Sequence, residues 1–146
     1  MPFISVTRLR VRSFRYLLLF FWQTLQVAHQ AEQSPKFLGG RILREARNAF
    51  WTMTAWEDEA AMLSFRQEGT HRIVMPKLLN WCDEAAYCHW KQDTADLPDW
   101  AEAHRRLQQE GKLSKVYHPS PAHVANQFAE PKPGRIERTL RPFELI

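Results

Sequence analysis

The join at residue 56 constrains the fold most. A run with strand character, Ala49-Phe50-Trp51-Thr52-Met53-Thr54-Ala55-Trp56, passes without a spacer into Glu57-Asp58-Glu59-Ala60-Ala61-Met62. Those three acids lie where the free N–H groups of a first helical turn favour negative charge. A helix launched straight from a strand belongs to a strand–helix–strand unit, and residues 85–90 read as its return strand. The same order stands upstream. Residues 3–11 alternate, with Ile4 and Val6 on one face and Phe3, Ser5, Thr7 and Leu9 on the other. Ser13 is placed to cap a helix over residues 14–33, which Ser34-Pro35 ends. Residues 37–44 read as the second strand with a bend or bulge at Gly39-Gly40, and Arg47-Asn48 as the turn into the third. The order is βαββαβ, an α+β chain of ferredoxin-like type.

The first helix carries two apolar stripes. Phe14, Leu17, Leu18, Phe21, Leu25 and Ala28 form the main one, and Tyr16, Leu19, Phe20 and Val27 a second. A helix apolar on two sides must be covered on two sides, by the sheet and by a partner subunit or the chain's own tail. In the second helix Met62 and Phe65 face inward, and Gly69 is expected to cap its C-terminus. Thr70 then opens a helix to Trp81 that Pro76 should kink or split. Residues 99–109 form a further helix stopped by Gly111. Beyond residue 112 the chain holds five of its nine prolines and no periodicity, which reads as an extended arm. Its closing residues Leu140, Pro142, Phe143, Leu145 and Ile146 are expected to dock. The division expected is a domain over 1–110 and an arm over 111–146.

At 146 residues the chain is long enough for one domain with a real core. Six tryptophans weigh toward an aromatic core, a cavity or an interface. The net charge of +4 is local: Arg8, Arg10, Arg12 and Arg15 precede the first acid, Glu32. With no nucleic-acid-binding signature beside it, this reads as solvated surface and no nucleic-acid partner is expected. Those arginines before residues 16–22 mimic a signal peptide, but the apolar run is seven residues and cannot span a bilayer, so no stable membrane insertion is expected. Cys82 and Cys88 match neither a zinc site nor a disulfide framework and read as reduced thiols of a cytoplasmic protein. No metal-ligand spacing, Gly-rich phosphate loop or Gly-x-Ser-x-Gly element is present.

Residues 52–65, followed by Gly69-Thr70-His71, resemble the corresponding stretch of antibiotic biosynthesis monooxygenase-like proteins. The likeness is strongest to an uncharacterised bacterial branch, which shares the Trp81-Cys82-Asp83-Glu84 stretch and the helix from Pro98-Asp99-Trp100 through His104-Arg105-Arg106-Leu107. A weaker resemblance reaches spheroidene monooxygenase-like proteins. Coverage runs from Phe3 to Leu107. The resemblance implies a homodimeric α/β barrel in which two sheets pair across a two-fold axis, a pocket between each sheet and its helices, and chemistry without a cofactor. The Asn, Trp and His of haem-degrading members fall on Thr7, Phe65 and Met75; none is kept, so haem breakdown of that kind is not expected, although His71 lies one turn from Met75.

His71 is the candidate catalytic residue, a base that could deprotonate a phenolic substrate whose carbanion reacts with oxygen directly. A structural histidine hydrogen-bonded beside the Gly69 break is the bland alternative. Thr7, Trp51, Trp56, Phe65, Met75 and Trp90 are the candidate substrate-binding residues. Trp51 and Trp56 are an odd number of residues apart and lie on opposite strand faces, so at most one of them lines a given pocket. Two functions remain: a monooxygenase-like enzyme acting on a small hydrophobic or aromatic molecule, and a carrier that binds an apolar ligand in the same cavity. The number of convergent polar groups separates them.

Overall fold

The computed structural model describes residues 1–132 and 136–142. Phe143, Leu145 and Ile146, part of the expected docking tail, lie outside the described residues. Strand β1 (Phe3–Val11) leads to helix α1 (Phe14–Gln33), β2 (Phe37–Arg44), a single 3₁₀ turn at Ala46–Asn48, and β3 (Ala49–Trp56). Helices α2 (Glu59–Gln67) and α3 (Gly69–Trp81) and strand β4 (Cys82–Lys91) complete the βαββαβ unit. Helix α4 (Trp100–Glu110), β5 (Lys112–Leu113), α5 (Pro121–Ala125) and β6 (Ile136–Leu140) follow. The strands form one antiparallel sheet in the order β5-β4-β1-β3-β2-β6. Its inner four strands, β4-β1-β3-β2, are the ferredoxin-like arrangement.

Capping follows the local sequence. The Ser13 hydroxyl accepts from the N–H of Arg15, Asp58 from Ala61 and Asp99 from Glu102, each satisfying one of the free donors of a first turn. Gly69 does not close α2. It opens α3 at φ +56, and a Cβ there would meet the Gln30 amide at about 3.2 Å. Gln30 binds the two helices together: its Nε2 donates to the carbonyls of Phe65 and Glu68, and its Oε1 accepts from the N–H of His71. Helix α3 runs as one element through Pro76. The bond that proline forfeits belongs to the carbonyl of Arg72, an exposed residue. A register shift falls between Phe37 and Gly39, at the expected bulge.

Helix α1 turns toward the sheet a side that draws on both stripes read from the sequence. Phe20, Ala28 and Ala31 are buried, with Tyr16, Leu17 and Val27 packed beside them. Phe14 and Leu18, from the stripe read as the main one, are 78% and 83% exposed, and Trp22 is 60% exposed. Two stripes of similar apolar weight cannot be ranked by periodicity. The small Ala28 and Ala31, which let the helix approach the strands, decide the matter.

The second face of the sheet is covered within the chain. Ile4, Val6, Leu43, Trp51, Met53, Ala55, Ala86, Cys88 and Trp90 pack against Trp100, Ala103 and Leu107 of α4 and against Phe128. This is the surface through which the resemblance would have two sheets pair. Where composition suggests an extended arm, the residues after Gly111 add a strand to each edge of the sheet and place Val116, Phe128 and Leu140 in the core. The chain is pinned there by Ser114 N–H to the Ala85 carbonyl, Tyr117 N–H to Leu79 and Ser120 N–H to Asp83. Beneath it the Arg8 guanidinium, 6% exposed, donates to Glu84 Oε1 at 2.6 Å and lies 4.6 Å from the centre of the Phe128 ring. Glu84, 5% exposed, also accepts from the Ser120 hydroxyl, and Arg10 pairs with Asp83 at 2.7 Å. Two of the arginines read as solvated rim are therefore tied into ion pairs.

Candidate functional site

Helices α1, α2 and α3 do not close fully onto the sheet. They leave a cavity of about 520 Å³, within the usual range of ligand pockets. Strand alternation determines its floor. Ser5 of β1 stands opposite Thr54 of β3 and His89 of β4; two residues on, Thr7 stands opposite Thr52 and Tyr87. All six line the cavity, giving two polar rungs across three neighbouring strands. The next rung, Phe50, Leu9 and Ala85, is apolar. Phe20, Val27, Met62, Phe65, Val74 and Met75 form most of the helical wall, interrupted by Thr24, Arg66 and His71.

His71 stands at the start of α3, where its own N–H is fixed by Gln30 and its ring meets the edge of Phe65 at 4.8 Å. Nδ1 is buried with no hydrogen-bond partner among the described residues. Burial first, and then the charge of Arg66, pushes the imidazole down to about 4 against a smaller upward pull from the backbone of Arg66 and of His71 itself, so it is neutral through the physiological range. His89, its ring 5.2 Å from Tyr87, is pushed down by the same two causes in the same order.

The value for His71 has a consequence for stability. It lies below the 6.5 of an ordinary histidine, so the unfolded chain takes up the proton first. His71 therefore leaves stability intact above about pH 6.5 and lowers it as pH falls toward 4, by on the order of 3 kcal/mol if nothing relaxes. Urea unfolding of wild type and His71→Gln at pH 7.5 and 4.5 measures this. The variant is expected to lose less stability on acidification, and equal losses would refute the assignment.

Of the residues singled out from the sequence, Thr7, Phe65, His71 and Met75 line the cavity. Trp56 is on the cavity side of β3 but fully buried under Phe65, with ring centres 5.0 Å apart, and its Nε1 donates to Thr54 Oγ1. It supports the lining without forming it. Trp51 and Trp90 are on the other face of the sheet in the cluster around Trp100, away from the cavity. Alternation shows which residues share a face; it does not show which face is left open. Ser5, Thr52, Thr54, Arg66, Tyr87 and His89 were not singled out. The signal for the hydroxyl rungs was there, in Ser5 beside Thr7 and in Thr52, Thr54 and Trp56 recurring at every second residue. Cys88 and His89 point to opposite faces, and burial raises the Cys82 and Cys88 thiols to about 12. Among the described residues no group of three or more His, Cys, Asp or Glu side chains could hold a metal ion, and no helix is long and apolar enough to cross a membrane.

No family model matches the sequence, and no curated protein is similar to it. Solved structures do share the fold. SnoaB, a cofactor-independent oxygenase from Streptomyces nogalater, superposes with a TM-score of 0.54 at 17% identity, over 67% of this chain and 98% of its own. A candidate antibiotic biosynthesis monooxygenase from Nitrosomonas europaea does so with a TM-score of 0.53 at 13% identity, over 62% of this chain and 89% of its own. Rv0793 from Mycobacterium tuberculosis reaches 0.59 at 9% identity, over 66% of this chain and 100% of its own. The chain thus has the fold of antibiotic biosynthesis monooxygenase-like proteins and carries about a third of its length beyond them.

Proposed function

We propose that the chain is a cofactor-independent, monooxygenase-like protein that takes a small hydrophobic or aromatic molecule into the cavity between α1–α3 and the sheet. One observation carries the reading: polar groups converge on a largely apolar cavity, with Ser5, Thr7, Thr52, Thr54, Tyr87 and His89 on the floor and His71 in the wall. In this reading His71 accepts a proton from an acidic C–H or O–H, the hydroxyls hold the oxyanion that forms, and the apolar wall excludes water. The carbanion gives electrons to dioxygen. One oxygen atom is retained in the product and the other leaves as water.

A second reading has an observation of its own. A base depressed to about 4 is poorly matched to a phenolic proton, which favours a carrier that binds the same ligand without turnover. Oxygen-electrode measurements with a panel of electron-rich phenols separate the two. Wild type is expected to consume oxygen, and His71→Ala to lose at least about a hundredfold in rate, the scale of a positioned proton acceptor, while still binding the phenol. Binding by both proteins with oxygen uptake by neither would leave the carrier.

The partner we propose is a second copy of the chain. It would seat on the exposed stripe of α1 at Phe14, Leu18 and Trp22, because the sheet's second face is already covered. Native mass spectrometry reads this as a dimer. The two buried thiols suit a reducing compartment, and on that ground we place the protein in the cytoplasm.

A further inference from the structure

We propose that the ligand of this cavity is an acid, an apolar body carrying one carboxylate, and that Arg66 is the residue that binds its head group. The inference rests on the cavity being the ligand site, as argued above. Among the described residues no aspartate or glutamate lines the cavity, whereas Arg66 and Lys115 both do. A cavity of one charge sign, walled mostly by carbon, is complementary to an amphipathic molecule of the other sign.

Arg66 itself is uncommitted. The arginines of β1 are tied, Arg8 to Glu84 and Arg10 to Asp83. The side chain of Arg66, only partly exposed, has neither a carboxylate partner nor a hydrogen bond among the described residues. Its charge reaches both cavity histidines, while Glu59 and Lys112 also act on His89. The guanidinium fork suits a carboxylate, which it can hold through two parallel hydrogen bonds. The floor is consistent with such a head group. The oxygen of Thr54 already accepts from the indole of Trp56, so its hydroxyl hydrogen is free to donate to a ligand. An arginine in the last turn of α2 also complements the helix dipole, but that role does not depend on what the cavity holds.

A carboxylate there would do more than anchor. It would cancel the charge that helps hold His71 unprotonated, so the substrate would make its own proton acceptor more basic on binding.

The test uses 9-anthracenecarboxylic acid and its methyl ester as fluorescent probes, titrated into the full-length protein and into Arg66→Gln. Circular dichroism confirms that the variant is folded, and Arg66→Lys serves as the conservative control. Wild type is expected to bind the acid at least about tenfold more tightly than the ester, the scale of one charge-assisted contact. Arg66→Gln should lose that preference while binding the ester unchanged, and Arg66→Lys should keep part of it. The NMR titration of the His71 ring should move to higher pH with the acid and not with the ester. Equal binding of acid and ester by wild type would overturn the acidic head group, and an undiminished preference in Arg66→Gln would overturn Arg66 as its anchor; either result leaves the cavity as the ligand site. Binding of neither probe would overturn both.

Discussion

Replacing Glu84 with alanine is expected to destabilise the fold by about 3–5 kcal/mol, the usual penalty for stranding one charge of a buried pair. The size follows from the surroundings of Arg8. Its guanidinium donates to Glu84 at 2.6 Å, has Phe128 over it and Trp51 beside it, and holds an Nε that already lacks a partner. With Glu84 gone the charge keeps its burial and loses its hydrogen-bonded counter-ion, leaving Glu45 and Asp83 at longer range, and Ser120 loses the carboxylate it donates to. The double variant Arg8→Met/Glu84→Met removes both charges and leaves apolar volume, so it should recover most of the loss. Urea unfolding of the two variants tests this. A Glu84→Ala loss under about 1 kcal/mol would mean that Arg8 finds water, and that the residues after α4 lie less closely on the sheet than described.

Ending the chain at residue 98 is expected to have an effect as large and of another kind. The remaining residues keep the whole βαββαβ unit, which ends at Lys91. What they lose is the cover over Ile4, Val6, Trp51, Met53 and Trp90, a broad apolar face of the sort that does not stay bare in water. The truncated chain should self-associate or precipitate, whereas the full chain should show no association through that face. Light scattering coupled to gel filtration reads the outcome. A truncated chain that stays monomeric and as stable as the whole would show that α4 and the residues after it do not hold an apolar surface.

Much of this architecture was legible because it is local. The alternation of residues 3–11, the serine before α1, the acids after Trp56 and the glycine after α4 each act within one turn or one strand. They place β1, α1, β3 and α4 close to where they lie. The cavity was half legible. His71, Phe65, Met75 and Thr7 could be named, but which strand face is left open depends on what α4 covers, and that decision removed Trp51 and Trp90. The residues after Gly111 were opaque for a related reason. Val116 and Phe128 each contribute one apolar anchor from irregular chain, and Leu140 is the one buried residue of its strand, so they produce no period to read. The pairing of Arg8 with Glu84 spans 76 residues and exists only because β1 and β4 lie side by side in one register. Gly69 looked like a stop because a left-handed residue usually ends a helix; here it begins one, held by Gln30 from a third helix.

The cover over the sheet's second face is also made after the strands it shields. Every strand that needs shielding precedes Lys91, while Trp100 through Phe128 supply the shield. At roughly 5–20 residues per second, translating the 37 residues from 92 to 128 takes roughly 2–7 s, during which the four inner strands would stand with one side bare. Nascent chains emerging side by side on one message would present that bare side to each other at high local concentration. The yield of correctly closed protein should therefore depend on how fast translation proceeds between residues 91 and 128.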